Sequence, residues 1–231
     1  MAEREWLDVP YSKNKLAKSL GAKWDWQSKR WYAPQPGMTE LEQWKLRPPV
    51  PAFLFKEDRF FGDGLFVDLV PKSCWFTNVR FCVSETDWMR IHRMVTSRAV
   101  DECEICGSTL HLEAHERFDF NDSSRTQTLK RLICLCKACH LSTHLGYAKT
   151  QGQSDQAFAH LMTVNKWTED KAIQHVKWAF KVWAKRSQVA WDLDISMLSG
   201  TGVTVARTPE AAERRDQADQ RTRSARLKEG R

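Results

Sequence analysis

Residues 103–144 read CEICGSTLHLEAHERFDFNDSSRTQTLKRLICLCKACHLSTH, and this stretch decides the fold of the chain. It contains two Cys-x-x-Cys units, Cys103 with Cys106 and Cys136 with Cys139, separated by residues 107–135. The two-residue spacing lets both thiolates of a unit reach one tetrahedral ion at about 2.3 Å, and four thiolates make a closed structural zinc site. The sequence therefore predicts a core that zinc holds together.

Three histidines in the same stretch are suited to a second metal ion. His115 lies in the phrase LEAHE, His140 directly follows Cys139, and His144 comes four residues later. If the segment after residue 136 is helical, His140 and His144 project from one face, because positions i and i+4 are neighbours on a helix. Three imidazoles beside a rigid zinc clamp suit a divalent ion with open coordination positions, as phosphodiester hydrolysis requires.

The order CxxC, LExHE and LCxxCHxxxH resembles the HNH endonucleases, also called ββα-metal nucleases, over about residues 100–147. The resemblance implies a ββ hairpin followed by a helix, a DNA substrate and a catalytic Mg²⁺ or Mn²⁺ ion. It assigns His115, His140 and His144 to that ion and Glu116 to the general base. It also places Arg131 where the family carries an asparagine.

Two alternatives stay open at this point. Most HNH family members have histidine as the base, and a register shifted by one residue would make His115 the base and leave Ala114 in the ligand position. In a different class of function, the zinc fold is a non-catalytic scaffold that binds nucleic acid or a partner protein. The three histidines at nuclease spacing favour the enzyme, because a scaffold needs only the cysteines.

The sequence of residues 1–46 predicts a small basic α+β unit. The pattern indicates strands at 5–10 and 30–34, a helix that stops at Gly21, and a second helix in which Thr39 and Glu42 form a capping box. The stretch WLDVPYSKNKLAKSLGAKWDWQSKRWYAP resembles a small domain of unknown function in plasmid primase-like and mobile-element proteins of bacteria. The predicted nucleic-acid contacts are Arg131 and five cations and tryptophans of the N-terminal unit: Lys23, Trp24, Trp26, Lys29 and Arg30.

The rest of the chain divides by composition into four further segments. They are a proline-rich joint and connecting segment at 47–98, the HNH-like core at 99–150, a helical hairpin and strand at 151–206, and a disordered charged tail at 207–231. Within them we expect strands around 66–70 and 79–83, a helix that Ser84 and Asp87 open, helices at 154–163 and 168–186, and a strand at 191–197. The predicted fold class is α+β.

The composition narrows the function classes. The chain has 231 residues and 36 Lys+Arg against 29 Asp+Glu, a formal net charge of +7, which favours a polyanionic partner. The nuclease resemblance implies DNA rather than RNA, and we expect no membrane partner. Its longest apolar runs fall short of the roughly 18 residues that a membrane helix needs, and the charged start MAEREWLDVP is unlike a secretory signal. Seven cysteines, an odd number, argue against a disulfide framework, so we expect a cytoplasmic protein.

Overall fold

The computed structural model describes residues 4–75 and 77–205, and these residues form the predicted α+β fold. The predicted disordered tail lies outside the described residues. The strands and helices follow along the chain as β1 (Glu5–Leu7), α1 (Asn14–Ser19), β2 (Lys23–Asp25), β3 (Arg30–Ala33), α2 (Val79–Cys82), α3 (Glu85–Arg98), β4 (Leu112–Asn121), β5 (Thr126–Cys136), α4 (Lys137–Thr143), α5 (Leu145–Thr150), α6 (Ser154–Asn165), α7 (Glu169–Arg186) and β6 (Asp192–Asp194).

The N-terminal unit is a three-stranded antiparallel sheet in the order β1-β3-β2, covered by α1. Gly21 ends the helical segment with φ of +93°, a conformation that glycine adopts without strain. The predicted second helix is a 3-10 helix at Thr39–Trp44, and the predicted capping box is wrong. Met38 occupies the N-cap position without a side-chain hydrogen bond, because Thr39 already lies inside the tighter helix.

The long hairpin of β4 and β5 carries His115, Glu116 and Cys136. The two strands are antiparallel from the pair Leu112 and Cys136 at the open end to Asn121 and Thr126 at the turn. The helix α4 begins directly after β5, and the Sγ atom of Cys136 caps it by accepting a hydrogen bond from the Cys139 N–H at 3.5 Å. The chain therefore folds as strand, strand and helix over residues 112–143.

Both strands predicted between residues 66 and 83 are wrong. Residues 66–70 have no regular structure, and Val79–Cys82 form the short helix α2. The Asn78 side chain accepts a hydrogen bond from the Phe81 N–H at 3.1 Å, and this N-cap outweighs the strand preference of the valines and phenylalanine. The next helix, α3, is confirmed, with Ser84 as the N-cap that accepts from the Asp87 N–H.

The C-terminal helices are confirmed as α6 and α7, but the predicted strand at 191–197 is mostly wrong. Only β6 is extended, and it pairs in parallel with the start of β5. The Ser196 N–H then donates to Oδ1 of Asp194 at 2.9 Å, which turns the chain into a 3-10 helix at Ser196–Leu198. Trp191, Ile195 and Met197 are nevertheless buried, as the alternation predicted.

Two apolar clusters flank β5, and both take residues from several of the predicted segments. Leu132 packs with Ile91 of α3 and Leu198, whereas the next residue, Ile133, packs with Leu65 and Leu161 on the opposite side. The predicted segments at 47–98, 99–150 and 151–206 thus share their cores, and their boundaries stay predictions. Within the described residues, no helix is long and apolar enough to cross a membrane.

Candidate metal centre and active site

The four cysteines of the two Cys-x-x-Cys units meet in one cluster. Their Sγ atoms all lie within 4.8 Å of one another, and those of Cys106 and Cys136 are 3.6 Å apart. Four sulfurs around one tetrahedral ion at 2.3 Å would be separated by about 3.8 Å. None of the four forms a disulfide. The cluster is compatible with structural zinc, as the spacing predicted.

Local backbone structure places these sulfurs. In the first unit, the Gly107 N–H donates to the Cys103 carbonyl at 2.9 Å, and Gly107 takes the left-handed φ of +73° that this tight turn requires. Glu104 ties the turn to β5, because its carboxylate accepts from the Cys134 N–H at 2.7 Å and its own N–H donates to the Cys134 carbonyl at 2.9 Å. The second unit lies where β5 ends and α4 begins, so the hairpin register brings the two units together.

The thiols of this cluster differ in their acidity. A hydrogen bond from the Cys139 thiol is the main cause that lowers the pKa of Cys103 to about 4. The same hydrogen bond, followed by burial, raises the pKa of Cys139, and burial raises the pKa of Cys106. Because a metal ion binds thiolates, a bound cation would offset the cost of ionising these buried groups.

The three histidines also form one cluster. Their ring centroids are separated by 5.1 Å between His115 and His140, 4.9 Å between His115 and His144, and 4.8 Å between His140 and His144. The helix α4 and its C-cap residue His144 place two rings on one side, and β4 supplies the third. The predicted convergence of the three imidazoles is confirmed.

His115 offers a test of whether this cluster fits a metal ion. The residue is 3% exposed, and within the part of the chain that the structure describes both of its ring nitrogens are buried without a hydrogen-bond partner. Such an unpaired polar group costs free energy that a hydrogen bond or a cation would recover. Burial lowers the pKa of His115 well below its usual value and that of His144 to about 3, so both rings are neutral, the form that binds metal.

Two further groups act on the histidines, and the sequence reasoning missed both. The carboxylate of Glu113 bonds to Nδ1 of His140, which leaves Nε2 for the cluster. The backbone of Asp68 lies next to the His144 ring and raises its pKa, which partly opposes the effect of burial. Metal-binding histidines in proteins commonly have such partners. The shared strand face of Glu113 and His115 was a usable signal, whereas nothing in the sequence pointed to Asp68.

Glu116 lies next to His115 in β4, beside a small cavity. The cavity has a volume of about 60 Å³, and both residues line it together with His144 and Asp68. Burial raises the pKa of Glu116, an effect that the backbone N–H groups of Val79 and Arg80 partly oppose. Ala114 packs in the apolar core, so the shifted register would place a core methyl group in a ligand position.

The predicted nucleic-acid contacts divide into two groups. Lys23, Lys29 and Arg30 are exposed in the N-terminal unit, where Trp26 is 85% exposed and packs edge-on against Trp24 at 6.3 Å. Arg131 is 5% exposed instead, and its Nη2 atom bonds to Glu104 at 3.2 Å. Its guanidinium group is held inside the protein, which leaves no free surface for a phosphate.

A large cavity lies between the N-terminal unit and α3. It has a volume of about 580 Å³, and five arginines line it: Arg30, Arg47, Arg90, Arg93 and Arg98. Several of them also join the two parts, since Arg93 pairs with Asp8 at 2.6 Å and Arg47 with Asp87 at 2.7 Å. Sequence reasoning missed this arginine groove because its residues come from separate segments.

Comparison with known proteins adds information on the N-terminal unit. No curated protein and no solved structure matches the chain. None of the comparisons supports an HNH assignment for residues 103–144, so that resemblance stays a prediction. Residues 4–45 match the family DUF5710, described as a domain of unknown function, which is compatible with the resemblance noted for the N-terminal unit.

Proposed function

We propose that this protein is a metal-dependent HNH-type endonuclease that hydrolyses phosphodiester bonds in DNA. The observation that carries the proposal is the cluster of His115, His140 and His144 on a strand–strand–helix unit, in which both ring nitrogens of His115 lack a partner among the described residues. A scaffold that needs only zinc would have no use for three imidazoles gathered at one point.

The proposed roles follow from the positions of the side chains. His115, His140 and His144 would hold Mg²⁺ or Mn²⁺, with Glu113 and the backbone of Asp68 keeping two of the rings in place. A divalent ion bound there supplies Lewis-acid stabilisation of the charge that develops on the scissile phosphate. The zinc cluster holds the hairpin and α4 together and takes no part in the reaction.

Glu116 is the proposed general base. Its carboxylate accepts a proton from the water that attacks the phosphorus atom, while the bond between phosphorus and one sugar oxygen breaks. The sugar oxygen that leaves takes a proton from solvent. The location of Glu116 beside His115, at the edge of the 60 Å³ cavity, supports this role.

The charge distribution supports DNA as the partner. Lys23, Lys29 and Arg30 are exposed in the N-terminal unit, and Arg30 also lines the arginine groove. Cations along such a surface displace the counterions that condense on a phosphate backbone, which favours binding. The exposed ring of Trp26 offers a surface on which a base can stack.

A nicking assay on supercoiled plasmid DNA tests the proposal. The purified protein with full zinc is expected to nick the plasmid in Mg²⁺ or Mn²⁺, and His140→Ala is expected to abolish nicking while keeping its zinc. His111→Asn is the matched control, because His111 is exposed and its φ of +49° suits asparagine. If the wild type cuts neither DNA nor RNA with either ion, the non-catalytic zinc scaffold is the better explanation.

A further inference from the structure

A second cavity adjoins the candidate active site. Its volume is about 240 Å³, several times the roughly 30 Å³ that one water molecule occupies in the liquid. Asp68 and Phe118 line both this cavity and the smaller one that contains His115 and Glu116. Aromatic rings form much of its wall: Phe66, Phe118, Trp178 and Trp183.

Arg117 lies in the wall of this cavity and carries two hydrogen-bond donors without a partner in the described part of the chain. The residue is 1% exposed, and its Nη2 atom donates to the Gly64 carbonyl at 3.0 Å. Its Nε and Nη1 atoms are buried and have no hydrogen-bond partner among the described residues. The guanidinium carbon lies 4.4 Å from the centre of the Phe66 ring, which fixes the orientation of the group. Arg117 therefore places a fixed positive charge beside the cavity, while its Nε and Nη1 donors stay enclosed by protein atoms.

The lining of the cavity also includes a second arginine and two carboxylates. The guanidinium carbon of Arg186 lies 4.1 Å from the centre of the Phe120 ring, so this group is also held in place. Asp68 and Asp119 contribute carboxylates to the lining. No hydrogen bond links the Asp68 carboxylate to another residue in the described ranges. The cavity therefore offers donors, acceptors and flat aromatic walls within one small volume.

We propose that this cavity receives a single nucleobase of the nucleic-acid substrate, turned out of its stack, with guanine as the best fit. A free phosphate fits less well, because two carboxylates would repel it. Guanine pairs its O6 and N7 acceptors with an arginine fork, and its N1–H and amino group with a carboxylate. The walls of the cavity provide the stacking that holds an unpaired base.

The role of the cavity in cleavage rests on the proposed function. Asp68 and Phe118 line both cavities, so a base bound beside Arg117 would belong to a nucleotide at or next to the scissile phosphate. In this arrangement the cavity would select where the enzyme cuts, which neither the zinc cluster nor the histidine cluster can do.

Direct binding of mononucleotides tests the cavity without any cleavage step. The full chain is titrated, without added divalent ion, with the four deoxynucleoside 5′-monophosphates, inorganic phosphate and deoxyribose 5-phosphate, and binding is followed by calorimetry. We expect saturable binding that is tightest for dGMP and absent for the two ligands that lack a base. Absence of binding for all four nucleotides, or equal binding of inorganic phosphate, would overturn the proposal.

Substitutions locate the binding in the cavity. Trp178→Ala is expected to weaken dGMP binding about 10-fold, in line with the loss of one stacking surface. Tyr147→Ala is the matched control, since Tyr147 is 61% exposed, close to the 59% of Trp178, and lies outside the cavity. Arg117→Lys is also expected to weaken dGMP binding, and Arg186→Gln, expected to do the same, provides a second test if Arg117→Lys fails to fold. Unchanged dGMP affinity in both Trp178→Ala and Arg186→Gln would contradict the assignment.

The two proposals can fail separately. A protein that binds dGMP in the expected way but cuts no nucleic acid would retain the cavity assignment and lose the endonuclease. A protein that nicks DNA, binds no mononucleotide and keeps its cleavage pattern in Trp178→Ala would retain the endonuclease and lose the cavity assignment.

Discussion

The carboxylate of Glu113 in β4 forms a hydrogen bond with Nδ1 of His140 in α4. This hydrogen bond is the main cause that lowers the pKa of Glu113, so the carboxylate is ionised and holds the imidazole in one orientation. Nε2 is then the His140 nitrogen that remains available to the cluster with His115 and His144. One contact between a strand and a helix thus determines which atom the site presents.

Glu113→Gln is expected to weaken binding of Mn²⁺ to the histidine cluster by about 10- to 100-fold, because the neutral amide holds the ring less firmly. Calorimetric titration of zinc-loaded protein with Mn²⁺ measures the change. Glu42→Gln removes the same charge from an exposed position in the N-terminal unit and should leave the affinity unaltered. Equal affinities for Glu113→Gln and the wild type would show that the contact does not orient a ligand.

Cys136→Ser is expected to lose zinc and to unfold residues 103–144, since binding of structural zinc contributes on the order of 10 kcal/mol in small zinc modules. Metal analysis and thermal unfolding check the result. Cys134→Ala is the control, because Cys134 is equally buried in β5 but lies outside the sulfur cluster. A Cys136→Ser protein with full zinc content and the wild-type melting temperature would contradict the zinc assignment.

Glu116→Gln is expected to reduce nicking by about 10²- to 10⁴-fold, the usual effect of removing a general base. Excess Mn²⁺ should restore part of the activity to a ligand variant such as His144→Ala, but not to Glu116→Gln. The measurement is the nicking rate as a function of Mn²⁺ concentration. A nearly silent Glu116→Gln beside an inactive His115→Ala would favour the shifted register, with His115 as the base.

DNA affinity is expected to fall linearly with salt on logarithmic axes, by about 0.9 for each phosphate neutralised on duplex DNA. The double variant Lys29→Gln and Arg30→Gln should make the slope shallower by up to about 1.8 if each cation neutralises one phosphate. Fluorescence anisotropy over a salt series measures it. The pair Lys149→Gln and Lys166→Gln removes the same charge elsewhere, and an equal loss of slope there would argue against a specific DNA surface.

Glu57→Gln is expected to destabilise the protein by about 3–5 kcal/mol, because it leaves the Arg98 charge buried without its partner. The two side chains are 2% and 4% exposed and pair at 2.7 Å, and the Glu57 carboxylate also accepts from the Leu132 N–H at 3.0 Å. Denaturant unfolding measures the change. The exposed pair of Asp122 with Lys185 is the control, and Asp122→Asn should destabilise the protein far less, because solvent screens this pair. Similar losses in both variants would contradict the role of burial.

The sequence by itself determined the parts of the site that depend on short-range geometry. Two residues between cysteines, and four residues between His140 and His144, place side chains together whatever else the chain does, because one turn or one helix sets those distances. The role of Ser84 as the N-cap of α3 was predictable for the same reason, because an N-cap side chain bonds to a backbone N–H in the first turn of its own helix.

The surroundings of those residues depend on the tertiary structure. Arg131 became a buried partner of Glu104, because the segments that cover it are distant in sequence. The same holds for the backbone of Asp68 beside His144 and for the cavity that Arg117 and Arg186 line. Burial, and with it the cost of an unpaired donor or charge, is set by whatever covers a side chain, and no local pattern carries that information.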